Sequence, residues 1–188
     1  HKAYDRVEWP FFKAILLKLG LKENWVNLIM QCVFSVEYMI QFNADQTDSF
    51  KPIRGLRQGD PLSPYLFLLY KEGLTALLAK AKERGNISGI KVSREASSVS
   101  SLLFANDSLI LMRANATNME ALRAVLDSYC AASGQMVSVK KYNIFFSPNT
   151  KVKDKAQICT ILNITTEALN DKYLVYLPMW AWTKAIVL

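Results

Sequence analysis

Histidine is all but absent from this 188-residue chain, which carries only His1, and cysteine is sparse. Cys32, Cys130 and Cys159 are far apart, odd in number and without the spacing of metal ligands. A His-based triad, a zinc site and a disulfide framework are therefore not expected, and a reducing compartment suits the thiols best. Long apolar runs are lacking too: none approaches the roughly 18 residues that a membrane span needs, so a soluble, non-membrane chain is expected. Internal repeats and interior linkers are missing, as is the Gly-Lys-Ser/Thr ending of a P-loop. The first residue is His rather than Met, with no signal-like region behind it, which suggests a piece of a longer polypeptide.

What is present is apolar and mildly basic. At 51% hydrophobic the chain can build one domain with a real core, or part of a larger one. The formal charge of +7 is spread along the chain rather than gathered in a tail. That balance is compatible with a phosphate backbone as partner, and also with an ordinary basic protein.

Read in order, Phe12, Ile15, Leu16 and Leu19 recur at helical spacing from Trp9 onward, and Gly20 supplies the stop. Trp25, Leu28, Ile29, Cys32 and Val33 keep the same period, so a pair of packed helices with core aromatics is expected. From Val36 to Asn43 the period falls to two, Ala44-Asp45-Gln46 reads as a turn, and a strand around Ser49 to Ile53 would close a hairpin. A helix begun by Asp60 as cap and Pro61 runs to about Arg84 and Gly85, its first half apolar all round and buried. Asn86 to Val92 suggests a short strand and Ser93 to Ser101 a loop. Thr117 and Glu120 spell a capping box before a helix with a Leu122, Val125, Leu126 and Tyr129 stripe, stopped by Gly134. Ile144-Phe145-Phe146 reads as a strand ended by Ser147-Pro148-Asn149, and Lys151, Lys153 and Lys155 open a last helix. Helices alternating with hairpins in this order predict an α+β fold, an antiparallel sheet packed on helices.

Chemistry concentrates in two stretches. The run Arg54-Gly55-Leu56-Arg57-Gln58-Gly59-Asp60-Pro61-Leu62-Ser63-Pro64 places glycines and guanidinium groups before a helix N-terminus. It reads either as an anion site or as a helix cap with basic neighbours. In the second stretch, Ser100 to Met112, apolar residues flank Asn106-Asp107-Ser108, a composition suited to a tight hairpin with Asp107 at its tip. Asp107 is there either a solvated turn residue or a metal ligand on a rigid ribbon.

Taken together, Arg57-Gln58-Gly59-Asp60-Pro61-Leu62-Ser63-Pro64 and, further along, Phe104-Ala105-Asn106-Asp107 resemble a reverse transcriptase of the non-LTR (LINE) retrotransposon type, particularly those of plant genomes. Lys2-Ala3-Tyr4-Asp5-Arg6-Val7 is similar to the tail of that family's first palm motif. Ala132-Ser133-Gly134-Gln135, Lys141 and Phe145-Phe146-Ser147 are similar to its fourth. The likeness covers residues 1–178 and leaves 179–188 as a divergent tail. It implies a polymerase palm-type antiparallel sheet on helices with part of the fingers. The implied partners are an RNA template, a DNA primer and deoxynucleoside triphosphates, the implied cofactor is Mg²⁺ or Mn²⁺, and the implied location is the nucleus. On the same resemblance Tyr4 lies beneath the incoming sugar as a selector against ribonucleotides. Gln58 and Gly59, beside Arg57, contact the nucleotide and its template, Lys141 lies near the triphosphate, and Asp107 takes the second acidic place of a Phe-Ala-Asp-Asp pattern.

The sequence departs from the family pattern in three places. The first catalytic Asp is expected two residues before the Lys-Ala-Tyr-Asp run, ahead of His1, and Asp5 is expected to be structural rather than its substitute. Asn106 stands where the first Asp of the pair belongs, and an amide oxygen can coordinate Mg²⁺ but brings no charge. Lys172-Tyr173-Leu174-Val175-Tyr176-Leu177-Pro178 replaces a Lys-Tyr-Leu-Gly-Leu-Pro run. Impaired catalysis is therefore expected, with a catalytically inert nucleic-acid-binding relic or a pseudogene product as the competing readings. A group II intron maturase is a more distant one.

Overall fold

The computed structural model describes residues 3–91, 95, 98–104, 107–137, 144–163 and 185–187. After a 3₁₀ turn at Tyr4–Arg6 come α1 (Trp9–Lys18), α2 (Glu23–Phe34), β1 (Gln41–Phe42), β2 (Asp45–Gln46) and α3 (Ser63–Glu83). Then follow β3 (Ile90–Lys91), β4 (Ser98–Val99), β5 (Ser101–Phe104), β6 (Asp107–Leu111), α4 (Ala116–Ser133), α5 (Val152–Leu162) and β7 (Ala185–Val187). Helices with small antiparallel sheets make up the described chain, in line with the expected α+β class. It divides into two compact units, residues 1–73 with 130–136, and residues 74–129 with 137–188.

In the first unit Val7, Phe12, Leu16, Val26, Met30, Val33, Leu56, Phe67 and Tyr70 are buried. α1 lies against α3 where Gly73 leaves room: a Cβ there would stand 2.9 Å from Phe11 Cζ and 3.1 Å from Ile15 Cδ1. α2 turns a different face inward from the one expected. Val26, Met30 and Val33 are buried, while Trp25 and Leu28 are 62% and 50% exposed, so the aromatic that marked the stripe lies off it. The first hairpin forms, with its turn one position earlier than Ala44-Asp45-Gln46. Gln41 pairs with Gln46 and Phe42 with Asp45, and Asn43 and Ala44 take positive φ of 48° and 69°, as a two-residue turn requires. Thr47 N–H donates to the Ile40 carbonyl at 2.9 Å, whereas the next bridge joins Tyr38 to Phe50. The second strand thus holds one extra residue, a bulge.

α3 starts two residues later than the Asp-Pro signal suggests. Asp60 Oδ1 accepts the Leu62 N–H at 2.7 Å, which makes a turn ahead of the helix instead of a cap on it. Its first half is one-sided rather than buried all round, for Phe67 and Tyr70 are inside and Tyr65 and Leu68 are exposed. The end at Gly85 is as expected: Gly85 has φ +75°, and the Asn86 N–H reaches back to the Ala81 carbonyl at 3.0 Å.

The second unit is built on Leu74, Leu78, Ile87, Ile110, Met112, Met119, Leu122, Ile144, Phe146 and Ile158, all buried. β3 and β4 pair antiparallel, Ile90 with Val99 and Lys91 with Ser98, so part of the Ser93 to Ser101 stretch read as loop is strand. β5, β6 and β7 form a three-stranded antiparallel sheet in that order. The cap of α4 is Asn115, whose Oδ1 accepts the Asn118 N–H at 2.8 Å, and not Thr117. Asn118, itself buried, donates Nδ2 to the Arg113 carbonyl at 3.0 Å and accepts the Ser88 N–H at 3.3 Å, which joins the start of α4 to two loops. Ile144 and Phe146 are buried but lie outside any strand, contrary to the expected strand, since an apolar run specifies burial without supplying a pairing partner.

Candidate functional site

The turn at Tyr4–Arg6 is the hub of the first unit, and remote segments close on it from two sides. From the Arg54 to Gly59 side, the Leu56 N–H donates to the Tyr4 carbonyl and the Gly55 N–H to the Val7 carbonyl, both at 2.9 Å. Gly55 has φ +96°, and a Cβ on it would meet Asp5 Cα at 3.2 Å and the Tyr4 carbonyl at 3.3 Å, so only glycine permits this approach. Trp9 Nε1 donates to the Gly55 carbonyl at 2.8 Å and ties α1 to the same strip. Gln58 Nε2 donates to Asp5 Oδ1 at 3.4 Å on the exposed side of the turn.

The other side is formed by residues 133–135. Gln135 Nε2 donates to the Ala3 carbonyl at 3.0 Å. The Tyr70 hydroxyl donates to the Ser133 carbonyl. Between them Gly134, at φ +70°, would place a Cβ 2.6 Å from Glu8 Cγ and 3.0 Å from the Arg6 carbonyl. The Tyr4 ring stacks on Phe67 with centroids 4.7 Å apart and planes 17° apart, and Phe67 in turn lies 6.1 Å from Tyr70. Burial pushes the Tyr70 phenol above its ordinary pKa, and hydrogen bonds with Ser133 and Gln135 offset part of the rise.

Beside the turn is a cavity of about 220 Å³ with Asp5, Arg54 and Arg57 among its lining and Val33, Val36 and Tyr38 as its apolar wall. Arg54 is engaged with Glu8 at 3.3 Å. Arg57 is exposed and pairs with no carboxylate among the described residues. Asp60 takes up the N–H groups of Leu62, through its side chain, and Ser63, through its carbonyl at 3.2 Å, and Pro64 has none to offer. Asp60 thus occupies two of the N–H groups at the start of α3, and Arg57 beside them carries an exposed guanidinium with no ion-pair partner among the described residues. Gly59, at φ +84°, has open space around a would-be Cβ, so its backbone angle rather than close packing calls for glycine.

In the second unit, β5 and β6 pair with Phe104 opposite Asp107 and Ser101 opposite Ile110. Asp107 is therefore the first residue of a strand and not the tip of the hairpin. Asn106 and Lys141 lie outside the described residues, as does the run Lys172 to Pro178.

The chain matches the family model described as reverse transcriptase (RNA-dependent DNA polymerase) over residues 1–174. It belongs to the reverse transcriptase family. It is 30% identical over 141 residues to the retrovirus-related Pol polyprotein from type-1 retrotransposable element R2 of Popillia japonica, covering 74% of this chain and 19% of that protein. To an uncharacterized 149 kDa protein of transposon TX1 from Xenopus laevis it is 26% identical over 151 residues, 80% of this chain and 11% of that one. An uncharacterized mitochondrial protein of Arabidopsis thaliana is 55% identical over 56 residues, 30% of this chain and 46% of its own. The chain thus spans less than half the length of each of these relatives, and it is a segment of a non-LTR reverse transcriptase.

Reverse transcriptases use divalent metal ions. Among the described residues no three His, Cys, Asp or Glu side chains gather in a way that could hold one. The hairpin of this reverse transcriptase segment offers one carboxylate, Asp107, next to the amide of Asn106. Pattern alone did not single out Phe67 and Tyr70 beyond an apolar run, and it gave Gly134 only as a helix stop. Gly134 and Gln135 stand in a recognised motif, but nothing in that motif says what they touch.

Proposed function

We propose that this segment is the palm, with part of the fingers, of an RNA-directed DNA polymerase, spanning residues 1–178 with 179–188 as a divergent tail. In this reading it holds the incoming deoxynucleotide against its RNA template and DNA primer. One observation carries it. The Tyr4–Arg6 turn and the Gly55 to Gln58 strip, far apart in sequence, are bonded backbone to backbone and through Gln58 and Asp5. The family resemblance assigns those two strips to one substrate. Tyr4 then faces the sugar, Gln58 and Gly59 line the nucleotide and template pair, Arg57 meets a phosphate, and Lys141 neutralises the triphosphate.

Catalysis by this chain is weakened at Asn106, where an amide replaces a carboxylate and removes half of the hairpin's charge. Primer extension on an RNA template with Mg²⁺ or Mn²⁺ is expected to be undetectable. In a chain extended upstream by the family's first acidic position, Asn106→Asp should raise extension. No gain would mean that the defect is not electrostatic, and robust extension by the unaltered chain would overturn the reading of Asn106 altogether. A second reading, a nucleic-acid binder without catalysis, is favoured by Arg57, the exposed guanidinium without a partner carboxylate among the described residues.

A further inference from the structure

We infer that Gln135 is a positioning residue that fixes the direction of Tyr4, acting from the far end of α4 on the peptide plane that precedes it; the functional meaning rests on the proposed role of Tyr4 at the incoming sugar. The Ala3 carbonyl belongs to the peptide unit joining Ala3 to Tyr4. Because that unit is planar, holding its oxygen restrains the φ of Tyr4 and with it the direction in which the Tyr4 side chain leaves the backbone. Among the described residues two donors hold that oxygen. One is the Arg6 N–H within the turn at 3.2 Å, and the other is Gln135 Nε2 at 3.0 Å, from 132 residues away in sequence.

The donor is itself firmly placed. The Gln135 N–H donates to Ser133 Oγ at 3.2 Å, and the Ser133 carbonyl receives the hydroxyl of the fully buried Tyr70. Gly134 lies so close to the Arg6 carbonyl and Glu8 that no side chain fits there, which seats the end of α4 directly on the turn. The contacts close a ring. The Tyr4 side chain rests on Phe67, Phe67 neighbours Tyr70, Tyr70 holds Ser133, and Gln135 returns to the carbonyl just before Tyr4. Ring plane and backbone of Tyr4 are thus set from one framework, and Gln135 is the polar link that reaches the backbone. It touches Ala3 and acts through Tyr4, so its part is alignment.

The test is amide hydrogen exchange on the chain as it exists, comparing Gln135→Met, which keeps the volume and loses the donor, with Gln135→Lys, which keeps a donor. In Gln135→Met, exchange at Arg6, Val7 and Leu56 should rise roughly two- to tenfold, the loss of one net hydrogen bond. The α2 amides of Met30 and Val33 should be unchanged, and Gln135→Lys should restore most of the protection. Wild-type protection in Gln135→Met, or an equal rise throughout the first unit, overturns the inference. A second arm measures the binding ratio of deoxy- to ribonucleoside triphosphate for wild type, Tyr4→Ala and Gln135→Met. The expected result is a fall in both variants. A fall in Tyr4→Ala alone also overturns the inference. If Tyr4→Ala leaves the ratio untouched, the sugar-selector reading fails, and the exchange data alone decide whether Gln135 aligns Tyr4.

Discussion

Tyr70 carries two loads at once: its ring fills the first unit's core, and its hydroxyl holds the Ser133 carbonyl. Burial disfavours the phenolate, so the folded pKa lies above the unfolded one. The sign follows from linkage. Below the ordinary tyrosine pKa of about 10 the contribution is fully present, and it is lost as pH rises from there through the folded value, because the unfolded chain gives up its proton first. Urea unfolding followed across alkaline pH should therefore show wild type losing more stability than Tyr70→Phe over that range. At neutral pH the Phe variant should be the less stable, since the Ser133 carbonyl then loses its donor. Parallel pH curves for the two proteins would remove Tyr70 from this account.

At the scale of elements, the cap of α4 provides a direct comparison. Asn115→Ala should cost about 1 kcal/mol by denaturant unfolding, whereas Thr117→Ala should cost a few tenths at most. Equal losses would return the cap to Thr117. The error at Thr117 shows how far local pattern reaches. Helices are legible because apolar residues repeat over several turns, and α1, α3, α4 and α5 were each foreseen within a few residues. Phase is less legible: Trp25 weighs heavily in any apolar stripe, yet α2 buries the neighbouring row through Val26, Met30 and Val33. β3 and β4 are two residues each, too short to show alternation. Tyr4, Arg57 and Gln58 in the first unit, and Asp107 in the second, are legible in the sequence only as members of motifs. The bond from Gln135 to Ala3 is not, because a contact across 132 residues leaves no periodic trace.

For the molecule as a whole, charge decides what kind of partner the candidate surface can hold. A net +7 spread along the chain gives a diffuse attraction to phosphate, while Arg57, exposed at the cavity and without a partner carboxylate, gives a local one. Binding to an RNA–DNA primer-template, measured by fluorescence anisotropy over a salt series, should weaken as salt rises. Arg57→Ala should lower affinity and make the log–log salt slope shallower by roughly one. Arg54→Ala should have a smaller effect, because Arg54 is already engaged with Glu8. Binding indifferent to salt would count against both the polymerase reading and the binder reading.

The first unit is discontinuous: residues 1–73 are completed by 130–136, and the chain between them builds the greater part of the second unit's helices and hairpins. During synthesis the Tyr4 turn leaves the ribosome early and waits for Ser133 and Gln135 until the rest of α4 has been made. Closure over so long a separation is entropically costly and slow. In the interval the buried face of α3 around Phe67 and Tyr70 lacks one of its walls. A chain halted before residue 130 should therefore leave that face exposed, and completion of α4 should cover it.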